Sequence, residues 1–455
     1  MCSSDLSGTA LSIVGGNVIA KNGAYIPSPS SRLAIIATAS AGEVAFDPVH
    51  PPDEINLSHF LKLGAIRLLQ GAAFDTSGDP SGLITLDAAD VVLRDLAALI
   101  AFNNGDANGK GMVIRARTEI LISAGQLLAS LLGNGDGGSI SLTAPTILLL
   151  DRSTLATESY AAGHAGNITL TADRLEIREA AEVTASTDSS GDGGDIFLNA
   201  KLALLDFSTI RSISLAESQG RAGDIYVDAK NFQVTESVVS TRASGTADGG
   251  NIFVTANNVL INRPRRERVA SGLFASCTGG GAGGNITINA GNSVRLDDGQ
   301  IEANAVGNGG NVHITAPSLV YLKDSKISAS SDSGNGGNVL IDPIFVVLQN
   351  SQVLANALAG NGGNITILSD YFLSQAGTVD ASAGPAGIPG SVTISSPRLD
   401  LTETVPTLLA ELLDAEAQLQ PGCAVRLPGN VSTFTTTGRG GTPFRPDDLQ
   451  PAPLP

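Results

Sequence analysis

Isoleucine, leucine and valine alternate with polar residues in short runs along most of this chain, and each run ends at a glycine-rich break. The clearest run, Gly-Gly-Asn-Ile-Thr-Ile, stands at 283–288 and again at 362–367. Variants appear as Gly166-Asn-Ile-Thr-Leu, Gly194-Asp-Ile-Phe-Leu, Gly223-Asp-Ile-Tyr-Val, Gly250-Asn-Ile-Phe-Val, Gly310-Asn-Val-His-Ile and Gly337-Asn-Val-Leu-Ile. Weaker copies sit at Gly82, Gly111, Gly138 and Gly390, so that the anchoring glycines recur with a mean step of about 28 residues. Apolar residues two apart place one set of side chains on one face of a strand. The helical spacing of three and four is absent over this region.

Each period has three parts. The Gly-Asn-Ile-x-Ile strand comes first, with Ile286 and Ile288 flanking Thr287. A second apolar strand follows and ends in apolar-x-x-Ser/Gly-x-apolar, as in Leu150…Ser153…Leu155 and Leu322…Ser325…Ile327. The last residues of that frame open a third, small-residue strand, and a Gly/Asn/Asp/Ser-rich turn leads to the next anchor. Three short strands per period with turns between them predict a solenoid. Equivalent strands of successive coils then pair at about 4.8 Å, and parallel crossovers are right-handed. The fold class expected is all-β: a right-handed parallel β-helix, a three-sided solenoid of about 28 residues per coil, with a short C-terminal helix and an irregular tail.

At the corner before the first strand, Asn167, Asp195, Asp224, Asn251, Asn285, Asn311, Asn338 and Asn364 fall in equivalent places. Stacked coil on coil they would form an Asn/Asp ladder bonding the turn backbone and the neighbours above and below. The glycine before each is expected to supply the positive φ of a tight corner.

The boundaries follow from where the period begins and ends. Residues 1–47 read as short strands separated by prolines, 48–64 as an irregular connection and 65–397 as the β-helix repeats. Residues 398–420 hold a capping-helix region, with apolar spacing at Leu408, Leu412 and Leu419 suited to covering an exposed strand edge. Residues 421–455 form a Gly/Thr/Pro-rich tail. One interval is long: 34 residues separate the ladder positions Asn251 and Asn285. The surplus falls around 262–268, where Arg263, Arg265, Arg266 and Arg268 make the densest basic run and a candidate surface-recognition loop.

Composition narrows the function classes. The chain carries 27 basic and 44 acidic residues, net charge −17, which argues against nucleic acid as a partner. Three cysteines, Cys2, Cys277 and Cys423, are too few for a disulfide-built fold. No run approaches the roughly 20 apolar residues of a membrane helix. The opening Met1-Cys-Ser-Ser-Asp-Leu has neither a basic nor an apolar leader, and a strand follows almost at once. We expect that the chain enters a longer product midway.

Catalysis on a β-helix needs carboxylates, or a carboxylate with a cation, converging on one face. Asp206 and Glu236 read as equivalent in neighbouring coils, as do Asp297, Asp298 and Asp324, but these slots lie beside turns, where acidic residues are ordinarily solvated. His50, His59, His164 and His313 share no metal spacing, and His313 reads as outward-facing. The Asn/Asp turns lack the nine-residue calcium repeat. The expectation is therefore no catalytic residues, no cofactor and no metal.

The glycine-asparagine periodicity resembles the secreted adhesins of the filamentous haemagglutinin family, above all its cyanobacterial members. Leu11-Ser-Ile-Val-Gly-Gly-Asn-Val, through Gly42-Glu-Val-Ala-Phe, is similar to the end of that family's N-terminal secretion domain. Cys423-Ala-Val-Arg, with Ser432-Thr-Phe-Thr-Thr-Thr-Gly-Arg-Gly-Gly-Thr-Pro, is similar to the terminal segment of the cyanobacterial proteins. The resemblance implies export by two-partner secretion through an outer-membrane β-barrel transporter that recognises the full N-terminal domain. It also implies a place outside the cell or on its surface, and adhesion to a cell-surface or glycan receptor. Most of that domain, with the family's Asn-Pro-Asn-Gly-Ile-like motif, is missing from this chain. A β-helix polysaccharide lyase or hydrolase acting on an extracellular glycan is the alternative.

Overall fold

The computed structural model describes residues 10–44, 57–215, 219–264 and 270–396, with the backbone of 399–400. Every regular element among them is a β-strand, in two sheets of 21 and 13 strands. Almost all pairing is parallel, and the strands stack as a β-solenoid of about 12 turns with about 28 residues per turn. The expected helix over 404–419, the tail, Cys2, His50, Cys423, Arg265, Arg266 and Arg268 lie outside the described residues.

Each coil lays down three faces. In the middle of the solenoid the first two are one long bent strand. Ile168–Arg178 pairs residue for residue with Ile196–Asp206, and that strand pairs with Ile225–Thr235. The third face is a three-residue strand per coil, as in Glu182–Thr184, Thr209–Arg211 and Val238–Ser240. Further along, the long strands split in two, as in Val312–Thr315 and Leu319–Lys323.

The alternation seen in the sequence becomes columns. Ile140, Ile168, Ile196, Ile225, Ile252 and Ile286 stack in register and are fully buried. One hydrophobic cluster runs unbroken from Ala20 to Ala381. Each buried Ile, Leu or Val side chain contributes about 1.5–3 kcal/mol relative to exposure, so a core one side chain wide is sustained by repetition.

The solenoid reaches back into the N-terminal segment. Ala10–Gly15 pairs with Arg32–Ala37, which pairs with Leu83–Arg94 at Ile35↔Leu86. Part of the irregular connection is also held: Leu57 and Phe60 pack on Ile36, and the Arg117 guanidinium donates to both their carbonyls, to Phe60 O at 2.8 Å.

Two expectations need correction. The anchor glycines do not serve positive φ, since among the twelve only Gly111 is left-handed (φ 80°). The reason for glycine is the approach of the preceding coil. A Cβ on Gly310 would stand 1.9 Å from the Gly284 carbonyl oxygen, and one on Gly337 1.9 Å from that of Gly310. Left-handed backbone belongs instead to the corner between the second and third faces, at Glu236 (φ 46°), Asp298 (φ 57°), Asp324 (φ 49°) and Asn350 (φ 47°). Asp and Asn tolerate that region better than most residues, which accounts for much of the acid found there.

The second correction concerns which acids are equivalent. Asp206 is the last residue of its strand and aligns with Thr235, while Glu236 stacks one place on, with Phe207. Asp298 and Asp324 do stack, but Asp297 aligns with Lys323. The apolar-x-x-Ser frame has two slots; both are left-handed at Asp151 and Arg152, but in the coils from Leu205 onward only the second is, as at Phe207, Glu236, Asp298 and Asp324.

Candidate functional site

The Asn/Asp corner is a continuous hydrogen-bonded column. The backbone amide of Asp195 donates to Asn167 Oδ1 at 2.8 Å, Asp224 to Asp195 Oδ1 at 2.8 Å and Asn251 to Asp224 Oδ1 at 2.7 Å. The column continues through Asn285, Asn311, Asn338 and Asn364 to the amide of Ser391. Each Asn from 251 onward also donates its Nδ2 to the oxygen below, at 2.9–3.1 Å. Asp195, which has no such donor, is pushed above the usual carboxylate range, first by burial and then by the charge of Asp224.

Sequence reasoning missed two further columns. Three residues before the ladder, Asn308, Asn335 and Asn361 accept backbone amides of Asn335, Asn361 and Ile388 at 2.9–3.0 Å. His164 occupies the same column and accepts from the Asp192 amide through Nδ1 at 2.9 Å. At the second corner the buried serines of the apolar-x-x-Ser frame form the other column. Ser351 Oγ accepts from the Ser325 amide and Ser325 Oγ from the Gly299 amide, both at 3.1 Å. The first Asn of Asn-Gly-Gly-Asn and the repeated Ser were the available signals. The Asn, Asp, His and Ser side chains bonded in these columns hold coil to coil.

The candidate recognition loop begins at the second corner, where the two residues Glu236 and Ser237 of the neighbouring coil are matched by a run from Arg263 to Ser271. Arg263 is not presented outward as an open cation. Its guanidinium is bidentate to Asp298, Nη2 to Oδ1 at 2.9 Å and Nε to Oδ2 at 3.1 Å. Asp297 meets Lys323 at 3.1 Å. His313 is exposed and faces Thr315, and His59 meets the Glu43 carbonyl at 2.9 Å. Among the described residues no three His, Cys, Asp or Glu side chains are placed to hold a metal ion.

On the first face Phe197, Tyr226 and Phe253 stack ring on ring, with centroids 5.0 Å apart at each step. Burial, helped by Asp224, pushes the Tyr226 hydroxyl up to about 12. Their faces are turned to one another, so they form a stabilising stack rather than a platform. One carboxyl pair shares a hydrogen bond across a coil step: Ser123 and Glu179 hold Asp151 below its ordinary value, and Asp151 holds Glu179 above. Both are exposed, and neither lines a groove.

An open concavity lies on the third face. The outward positions Arg211, Ser240, Phe274, Glu302, Ser328 and Leu354 form one in-register column. Two residues on, Arg242, Ser276, Asn304, Ser330 and Asn356 form a second, and together they line an open groove of 810 Å³. Six coils at about 4.8 Å make it about 24 Å long. Its floor is knitted together. Asn304 Nδ2 donates to Glu302 at 3.2 Å, Ser328 Oγ to Asn304 Oδ1 at 2.6 Å, and Lys326 pairs with Glu302 at 3.0 Å. Arg211 pairs with Glu182. Cys277 lies buried beneath, stacked between Ala243 and Ala305. The outward residues differ from coil to coil, so no repeated phrase could have announced this groove.

Compared with known proteins, the chain matches no family model and no curated sequence. What fold and geometry define is a parallel β-solenoid with an open groove of mixed polar and apolar lining along its third face.

Proposed function

We propose that the chain is the rod of a secreted or cell-surface exoprotein of filamentous haemagglutinin type, a non-catalytic adhesin. Its route out of the cell is two-partner secretion through an outer-membrane β-barrel transporter. It takes a cell-surface or glycan receptor, and neither nucleic acid nor a cofactor. A β-solenoid is compatible with this role, and the resemblance of both ends supports it. The observation that carries the absence of catalysis is the state of the groove: its central carboxylate, Glu302, is engaged by Lys326 and Asn304. Beside it the lining mixes Ser and Asn with apolar residues such as Ile213, Val238, Phe274 and Leu354, and adds one further carboxylate, Asp332, a set suited to binding rather than proton transfer.

A glycan lyase or hydrolase remains the second reading, favoured by Glu302, Asp332 and Lys326 lining one groove. The adhesin reading is tested on whole cells producing the natural protein. Antibody against the solenoid should label intact cells, protease should remove that label, and beads coated with the chain should attach to cells or their matrix. A chain confined inside intact cells, or beads that attach no better than bare ones, overturns it.

A further inference from the structure

We propose that the third-face groove binds an extended acidic glycan, with a sugar carboxylate at Arg242 and a pyranose face against Phe274; this rests on reading the chain as a surface-binding scaffold. The shape comes first. The groove is open and runs along the stacking direction over six coils, which suits a linear polymer rather than a compact metabolite.

The chemistry comes second. Hydroxyl, amide and carboxylate groups repeat along the floor at the coil spacing, close to the advance of one sugar in an extended chain. They can meet sugar hydroxyls through side chains alone. A peptide strand would lack its usual partner here, because the backbone amides and carbonyls of these strands already bond coil to coil.

The charge comes third. Arg211 pairs with Glu182 and Lys326 with Glu302, but Arg242, exposed between Ile213 and Ser276 in the groove, meets no carboxylate among the described residues. A guanidinium without a partner, on a chain of net charge −17, is complementary to an anion brought by the ligand. Phe274 adds the apolar element: its Cζ lies 3.1 Å from where a Cβ on Gly272 would stand, so the ring is laid back along the floor. Glycine at 272 makes that placement possible.

The test uses the intact chain and calorimetric titration with oligogalacturonate and, separately, with uncharged cello-oligosaccharide of equal length. The acidic oligomer should bind at least about tenfold more tightly, and Arg242→Gln should weaken it by about tenfold or more, as expected for one charge-assisted contact. Phe274→Ala should weaken it as well, while Lys230→Gln, which removes an exposed charge elsewhere, should leave it within about twofold. Circular dichroism and melting establish that each variant is folded. No binding of the acidic oligomer, equal binding of both oligomers, or indifference to Arg242→Gln overturns the assignment. If glycan binding fails while coated beads still attach to cells, the groove assignment falls and the adhesin reading stands. If the oligomer is shortened, the non-catalytic reading falls.

Discussion

The oxygen Oδ1 of Asn285 accepts two hydrogen bonds from Asn311, the backbone amide at 3.0 Å and the side-chain Nδ2 at 2.9 Å. Asn311 in turn accepts the same pair from Asn338. One residue type at one corner thus supplies both the acceptor for the coil above and the donor to the coil below. Asn311→Ala removes both roles at once. The site is exposed, so water replaces part of the loss, and the expected cost is about 1–2 kcal/mol. Chemical denaturation measures the total, and hydrogen exchange should place the loss at the amide of Asn338, whose acceptor is removed, while the amide at 311 keeps Asn285 Oδ1.

Asp195 is the weak point of that column. Its folded pKa is raised, so the proton is bound more tightly in the folded chain, and stability is lost as pH rises through the folded value. Asp195→Asn keeps the acceptor for the Asp224 amide, removes the buried charge and adds a donor toward Asn167. At neutral pH the variant should be more stable by roughly 0.5–1 kcal/mol. Its advantage should shrink as pH falls through the raised folded value, where the parent takes up its proton, and be gone below the ordinary aspartate value of about 4. Denaturation midpoints at pH 7 and pH 3.5 check both parts.

The glycine requirement makes a sharper contrast. Gly310→Ala sets a Cβ 1.9 Å from a backbone oxygen of the preceding coil, whereas a Cβ on Gly280 meets nothing within 4 Å. The first substitution should cost at least about 3 kcal/mol, since backbone cannot step aside as a side chain can. The second should be near neutral. Melting temperatures of the two variants decide it, and equal effects would contradict the coil-approach explanation.

Arg263 and Asp298 are bidentate and about a quarter exposed, 26% and 21%. Asp298→Asn, which suits the left-handed backbone at 298 as Asp does, should cost about 1 kcal/mol, because partly exposed pairs are screened. The effect should fall when salt is raised to 1 M, where the screening length is about 3 Å. A salt-independent loss would point to packing instead.

How far the sequence carries can be judged residue by residue. Ile286, Ile288 and the mean step of about 28 residues were enough for the solenoid, because alternation and period are properties of the string itself. The column of Asn285 and Asn311 was legible for the same reason. The role of Gly310 was not, because glycine at a corner is consistent with positive φ and with close approach, and only the distance to Gly284 separates them. Asp206 and Glu236 were confused by one slot, since both fit apolar-x-x-Ser and register depends on where the strand ends. The Asn308 column was hidden because His164, Arg221 and Ala282 interrupt it. The groove was invisible for a deeper reason: Arg211, Phe274, Glu302 and Leu354 share a column and no chemistry.

The central claim is a scaffold that binds without transforming what it binds. Incubating the intact chain with a long acidic polysaccharide, and following retention on the immobilised protein together with polymer length, tests it most directly. The account predicts that the polymer is retained and its length distribution stays unchanged over hours. Progressive shortening, at a rate above that with heat-denatured chain, would contradict it.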